Sequence, residues 1–217
     1  FYFCHPKMEL FNNFKSISLS HKDAPVEIRE LVSLNEQEIK NLLSKVKEYF
    51  MISEALVVST CNRTEFYYSG EDKSVDIIKL ISIEKGINLS EKDISFFKSI
   101  NNHNEAIQQL YRVSMGLESQ VVGDIQISNQ VKNAYQWTAD SEMAGPFLHR
   151  LMHSIFYTNK RVIQETSYRD GAASTSYAAV ELVEDLVANV INPKVVIIGA
   201  GEIGADVCRN FSNTKIE

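Results

Sequence analysis

The chain has 217 residues, enough to bury a sizeable core as one large or two small domains, and its 44% hydrophobic and 23% charged residues match an ordinary globular protein. No run approaches the roughly 18 apolar residues of a membrane span, so no membrane segment is expected. A formal net charge of −6 argues against broad binding of nucleic acid through its phosphates, so any such contact must be local or lie on a part of the protein outside this chain.

The opening FYFCHPKMEL lacks the basic, apolar and small-residue parts of a signal peptide, and Met8 can serve as an internal start. Residues 14–20, FKSISLS, place Ile17 and Leu19 on one face of a short strand. SHKDAPVEIRE follows as a polar loop containing Pro25. From about 34 to 50, Ile39, Leu42, Leu43, Val46, Tyr49 and Phe50 recur at helical spacing, and Ser33 with Glu36 would form a capping box. A buried strand at 55–59 and an aromatic-rich strand at 64–69 flank a tip of Thr60, Cys61, Asn62 and Arg63. A helix at about 73–85 and a strand at 94–100 complete a β-α-β-β-α-β order, the ferredoxin-like arrangement.

From about 104 to 165 the pattern is helical, with one helix after Asn104, a second over about 125–138, and a third carrying Leu148, Leu151, Met152, Ile155 and Phe156. These predict a small helical bundle packed on the first unit. A break at Asp170-Gly171 precedes a long helix at about 174–190. Then KVVIIG reads as a buried strand, and Gly199-Ala200-Gly201-Glu202-Ile203-Gly204 opens another helix. The expected class is α/β, of the α+β kind. It comprises a substrate unit over 8–165 (ferredoxin-like part about 14–100, bundle about 104–165), a linker helix within 166–192, and the start of a Rossmann domain over 193–217.

GxGxxG is weak alone, but here it lies between an apolar strand and a helix, where glycines let the backbone approach a pyrophosphate at the helix N-terminus; the alternative is a glycine-rich strand-to-helix turn with no ligand. The residue that separates NAD from NADP normally lies about 20 positions further on. The domain is therefore expected to be truncated, and the segment alone to bind no dinucleotide with useful affinity.

Cys4, Cys61 and Cys208 are odd in number and far apart, which argues against a disulfide framework or a zinc site and for a reducing, cytoplasmic setting. A lone cysteine is most often a small buried hydrophobe. Cys61 differs in its place at a tip between strands, with Arg63 two residues away to favour a thiolate and Thr60 and Asn62 able to bond a substrate carbonyl or amine. A thiol beside a nicotinamide domain suggests attack on an activated acyl group, followed by hydride reduction of the thioester to an aldehyde.

Five segments in order, SHKDAPVEIRE, STCNRTEFY, YRVSMGLESQVVGDIQISNQVK, KRVIQET…STSYAAVELV and VVIIGAGEIG, resemble glutamyl-tRNA reductase over about residues 14–210. The resemblance implies that Cys61 takes glutamate from glutamyl-tRNA and that NADPH, held at residues 199–204, reduces the thioester to glutamate-1-semialdehyde, the first step of tetrapyrrole synthesis by the C5 route. It implies that Thr60, Asn62 and Arg63 hold the glutamyl group, Arg63 pairing with its carboxylate. It also implies that Ser119, Asp124, Ile125, Gln126 and Gln130 line the pocket, where the alternative is a solvated helix face. Full-length relatives are expected to be homodimers, and an aminomutase to take the product.

The chain departs from the family pattern at Asp124-Ile125-Gln126, where Glu-Pro-Gln is common, and at Asn129, where glycine is usual. Gln109 stands where the family has a histidine tied to activity. Glutamine cannot transfer a proton near pH 7, so either the histidine is dispensable, or the enzyme is slower, or His103 substitutes from six residues away. His149 and His153 share a helix face without an evident third metal ligand, and His21 is either placed to order the loop near Cys61 or simply a polar loop residue. Two rivals are a cysteine-dependent aminoacyl esterase and a non-catalytic tRNA- or partner-binding module with Cys61 buried.

Overall fold

The computed structural model describes residues 13–168, 175–212 and 214, with the Glu202 side chain left aside. Cys4, Met8 and the break at Asp170-Gly171 lie outside the described residues. In chain order the elements are β1 (Phe14–Ser20), α1 (Val26–Val32), α2 (Glu36–Phe50), β2 (Ala55–Thr60), β3 (Arg63–Ser69), α3 (Ser74–Lys85), α4 (Glu91–Ile94), β4 (Lys98–Ile100), α5 (His103–Ser114), α6 (Ile125–Asp140), α7 (Pro146–Glu165), α8 (Thr175–Val187) and α9 (Glu202–Phe211).

The four strands form one sheet in the order β2-β3-β1-β4, with every neighbouring pair antiparallel. This is the ferredoxin-like arrangement. Alternation along the strands sends side chains to opposite faces. Ile17, Leu19, Ala55, Val57, Phe66 and Tyr68 point to one face, where Val32, Ile39, Leu42, Leu43, Val46, Ile77 and Ile81 of α1–α3 cover them. Phe14, Leu56, Val58 and Tyr67 point to the other. There Leu110 and Val113 of α5, Ile127 and Val131 of α6, and Leu148, Met152 and Ile155 of α7 close over them. The expected bundle helices thus form a third layer on the sheet, which is why β2 and β3 are buried along most of their length.

Several local expectations are corrected. The loop holding Pro25 contains helix α1, short and half exposed, with Val32 its buried residue. Because α1 runs to Val32, Ser33 ends it rather than starting α2. The capping box belongs to Asn35 and Glu38, whose reciprocal bonds measure 3.0 and 2.8 Å. The strand expected over 94–100 is cut to Lys98–Ile100, because Ser90 and Asp93 cap the short helix α4 ahead of it. KVVIIG is not a strand: Val196 is 84% and Ile198 96% exposed. No strand lies beside it among the described residues, and an extended segment without a neighbour leaves its N–H and C=O groups unpaired. Helix α8 falls within the expected 174–190, and its last turn loosens over Ala188 and Val190. No helix among the described residues is long and apolar enough to cross a membrane.

Candidate active site

Thr60 and Arg63 pair across the ends of β2 and β3, so Cys61 and Asn62 form a two-residue connection between them. Cys61 is exposed. The Asn62 N–H donates to Thr60 Oγ1 (3.2 Å), and the His21 N–H donates to the Asn62 carbonyl (2.9 Å). His21 therefore does order this turn, through its backbone. Burial, with the neighbouring charges of Arg63, Lys22 and Arg29, holds its imidazole below the usual histidine range, so it is neutral near pH 7.

The turn opens into a cavity of about 250 Å³. Thr60, Cys61, Asn62 and Arg63 form one wall, and Ser119, Asp124, Gln126 and Gln130 form the facing one. Residues 56–70 positions apart in sequence are thus brought together. Gln120, Val121, Ile127 and Thr175 also line it, without having been singled out from the sequence, and Ile203 reaches it from the glycine loop. Ile125 is not in the lining and is about half exposed. As N-cap of α6, Asp124 accepts the Gln126 N–H (2.9 Å), which leaves Gln126 and Gln130 one turn apart on that helix.

The facing wall depends on a compact loop after α5. The Gly123 N–H bonds back to the Gly116 carbonyl, and the Asp124 N–H to that of Val121. Gly116 has φ +76°, and a Cβ there would lie 3.0 Å from the Asp124 carbonyl oxygen, a backbone atom with little freedom to yield. Gly116→Ala is expected to cost roughly 1–3 kcal/mol and to displace Asp124 and Gln126. Urea midpoints and acylation of Cys61 would register the two effects separately.

Arg63 is 2% exposed and Glu65 fully buried. Arg63 Nη1 donates to Glu65 Oε1 (2.7 Å), and Nη2 donates to the Glu118 carbonyl. Tyr67 donates its hydroxyl to the other Glu65 oxygen. Burial, then the Glu65 charge, pushes the Tyr67 phenol well above its usual range, so it remains a donor. Gln109 Nε2 lies 3.5 Å from Glu65 Oε1. Gln109 does not line the cysteine cavity. It faces a neighbouring one of about 390 Å³ with Ser18, Ser20 and Lys98. His103 is committed elsewhere, its Nδ1 accepting the Phe14 N–H (3.2 Å) beside Phe147.

Glu118 ties three elements to this wall. Its carboxylate takes Lys22, after β1, and Arg112 of α5 (2.6 Å), and its carbonyl takes Arg63. Burial would raise its pKa, but the hydrogen bonds and charges of Lys22 and Arg112 outweigh that and hold it below its ordinary value of 4.5. A carboxyl depressed in the folded state adds stability above its ordinary pKa and loses it as pH falls through the folded value. Glu118→Gln is therefore expected to flatten the loss of stability below about pH 5, seen as a smaller drop in urea midpoint between pH 7 and pH 4.

At the glycine loop, Gly199 has φ +111°, and a Cβ on Gly204 would lie 2.1 Å from the Gly199 carbonyl. This tight approach brings α9 against the turn, and no side chain caps the helix at Gly201. The uncapped N–H groups fit an incoming pyrophosphate. His149 and His153 lie with ring centroids 4.4 Å apart and planes tilted by 55°, and Tyr135 bonds His149 Nδ1 (2.5 Å). No group of three or more His, Cys, Asp or Glu suited to a metal occurs among the described residues.

A family model described as "Glutamyl-tRNAGlu reductase, N-terminal domain" matches residues 17–166. The glutamyl-tRNA reductase of Cytophaga hutchinsonii is 57% identical over 210 residues, covering 96% of this chain and 49% of that protein. That of Chlorobium chlorochromatii is 37% identical over 199 residues, covering 88% and 45%. Among solved structures, "Glutamyl-tRNA Reductase from Methanopyrus kandleri" matches with TM-score 0.67 and 29% identity, over 93% of this chain and 47% of that one. The chain spans about half the length of the relatives it matches.

Proposed function

From the premise that this chain belongs to the glutamyl-tRNA reductase family, we propose that it is the acylating half of an NADPH-dependent reductase that converts glutamyl-tRNA to glutamate-1-semialdehyde. The observation that carries this reading is an exposed Cys61 at the mouth of a polar cavity, with Arg63 and Asn62 on its own wall and Ser119, Gln126 and Gln130 opposite.

The Cys61 thiolate attacks the ester carbonyl that joins glutamate to the terminal ribose. The carbon–oxygen bond breaks, the ribose oxygen leaves and takes a proton from solvent water, and glutamate remains as a thioester. Arg63 suits the substrate's side-chain carboxylate because its guanidinium is held in place by Glu65 and the Glu118 carbonyl while still lining the cavity. The amides of Asn62, Gln126 and Gln130 supply hydrogen bonds to the glutamyl amine and carbonyl. NADPH, when bound, would supply the hydride that reduces the Cys61 thioester to the aldehyde and frees the thiolate. The backbone N–H groups at Gly201 and the first turn of α9 would hold its pyrophosphate, and Ile203 lies where that loop meets the cysteine cavity. Gln109 takes no proton in this scheme, being set apart from Cys61 beyond the Arg63–Glu65 pair.

The test is transfer of labelled glutamate from glutamyl-tRNA to the protein without NADPH. Hydroxylamine-sensitive label on the Cys61 peptide supports the reading. Release of free glutamate alone would point to an esterase. Neither label nor release, with Cys61 inert to iodoacetamide, would leave a binding module.

A further inference from the structure

The geometry points to Arg29 of α1 as the positioning residue for the nucleophile turn. This inference rests on the reading of Cys61 as the acylated group. The two-residue connection at Cys61-Asn62 is unusual for a β-hairpin. Such connections normally take turns with positive φ at one or both central positions, which match the twist of the strands. Neither Cys61 nor Asn62 has positive φ. The turn is therefore of a kind that splays the strands it joins, and it needs support from outside the hairpin.

Arg29 supplies that support. Its Nη1 donates to the Cys61 carbonyl (2.9 Å) and to Asn62 Oδ1 (2.8 Å), across gaps of 32 and 33 residues. The first bond fixes the peptide plane between Cys61 and Asn62. The second fixes the Asn62 side chain, whose amide group then has one orientation in the cavity. Arg29 Nε is buried with no partner, and burying a guanidinium N–H unpaired is costly. The side chain is therefore held where Nη1 can reach the turn rather than where all its donors are satisfied. A lysine reaches the same place with a tetrahedral ammonium and lacks the planar fork.

The expected result in the full-length protein is that Arg29→Met slows single-turnover acylation of Cys61 about 10- to 100-fold, the scale of a misplacement near 1 Å. Alkylation of Cys61 by iodoacetamide, which needs no orienting site, stays within about twofold of wild type. The exposed Cys208 serves as the reference thiol in the same digest. Arg29→Lys keeps the charge and recovers only part of the rate. It also decides the matter should Arg29→Met not fold. Wild-type acylation in either folded variant would overturn the inference, as would equal losses of acylation and alkylation. Failure of the wild-type protein to acylate at Cys61 would instead overturn the functional reading on which it rests.

Discussion

Cys61→Ser is expected to abolish formation of the acyl-enzyme and of the aldehyde, with a loss of at least about 1,000-fold in turnover, while leaving the fold intact. Cys61 is exposed at a turn, so replacing sulfur by oxygen removes no buried packing, and the melting temperature should stay within about 1 °C. The chemical loss is large for two reasons. A serine hydroxyl is scarcely ionised near neutral pH, and among the described residues no histidine lines the cavity to take its proton. An oxygen ester, if formed, would also accept hydride less readily than a thioester, because oxygen donates more strongly into the carbonyl. Turnover by the serine variant within tenfold of wild type would remove Cys61 from the chemistry.

The second large effect is expected at Glu65. Glu65→Leu leaves the Arg63 guanidinium buried without its counter-charge and takes the acceptor from Tyr67. Breaking a buried pair from one side costs about 3–5 kcal/mol. For a chain of this size each kcal/mol shifts the melting temperature by roughly 2–4 °C. The double variant Arg63→Met/Glu65→Leu removes both charges and should recover most of that stability, yet remain inactive in acylation because the carboxylate anchor is gone. Urea unfolding of the single and double variants gives the coupling. A Glu65→Leu change that costs less than about 1 kcal/mol would show that the pair is not closed as described.

The same network bears on the missing histidine. Gln109 stands at the position that matches a histidine tied to activity in the family. The structure places it against Glu65, on the far side of Arg63. A neutral amide there can bond the carboxylate without altering the charge balance of the Arg63–Glu65 pair.

How much was legible in advance follows from the range of each signal. The spacing of Ile39, Leu42, Leu43 and Val46 marked α2, and all four are buried. Alternation marked the strands on either side of Cys61, and the residues of the tip are neighbours in sequence. Short elements were harder. α1 buries little, so its apolar rhythm is faint, and missing it shifted the capping box from Asn35 to Ser33. KVVIIG carries a strand composition, but composition cannot supply a neighbouring strand to pair with.

What the sequence by itself determined is the periodicity of each long element, the turn that displays Cys61 and the glycine pattern at 199–204, because these depend on backbone geometry within a few residues. Only the tertiary structure decided that Ser119, Gln126 and Gln130 face that turn, that Arg63 is bound to Glu65, that Glu118 gathers Lys22 and Arg112, and that Arg29 braces the cysteine. Those contacts exist because three helices close one face of the sheet while α1 folds against the end of the β2–β3 hairpin. Apart from Arg63–Glu65 and Arg112–Glu118, these partners lie 30 or more residues apart, and such pairings are set by that packing, which no local pattern encodes.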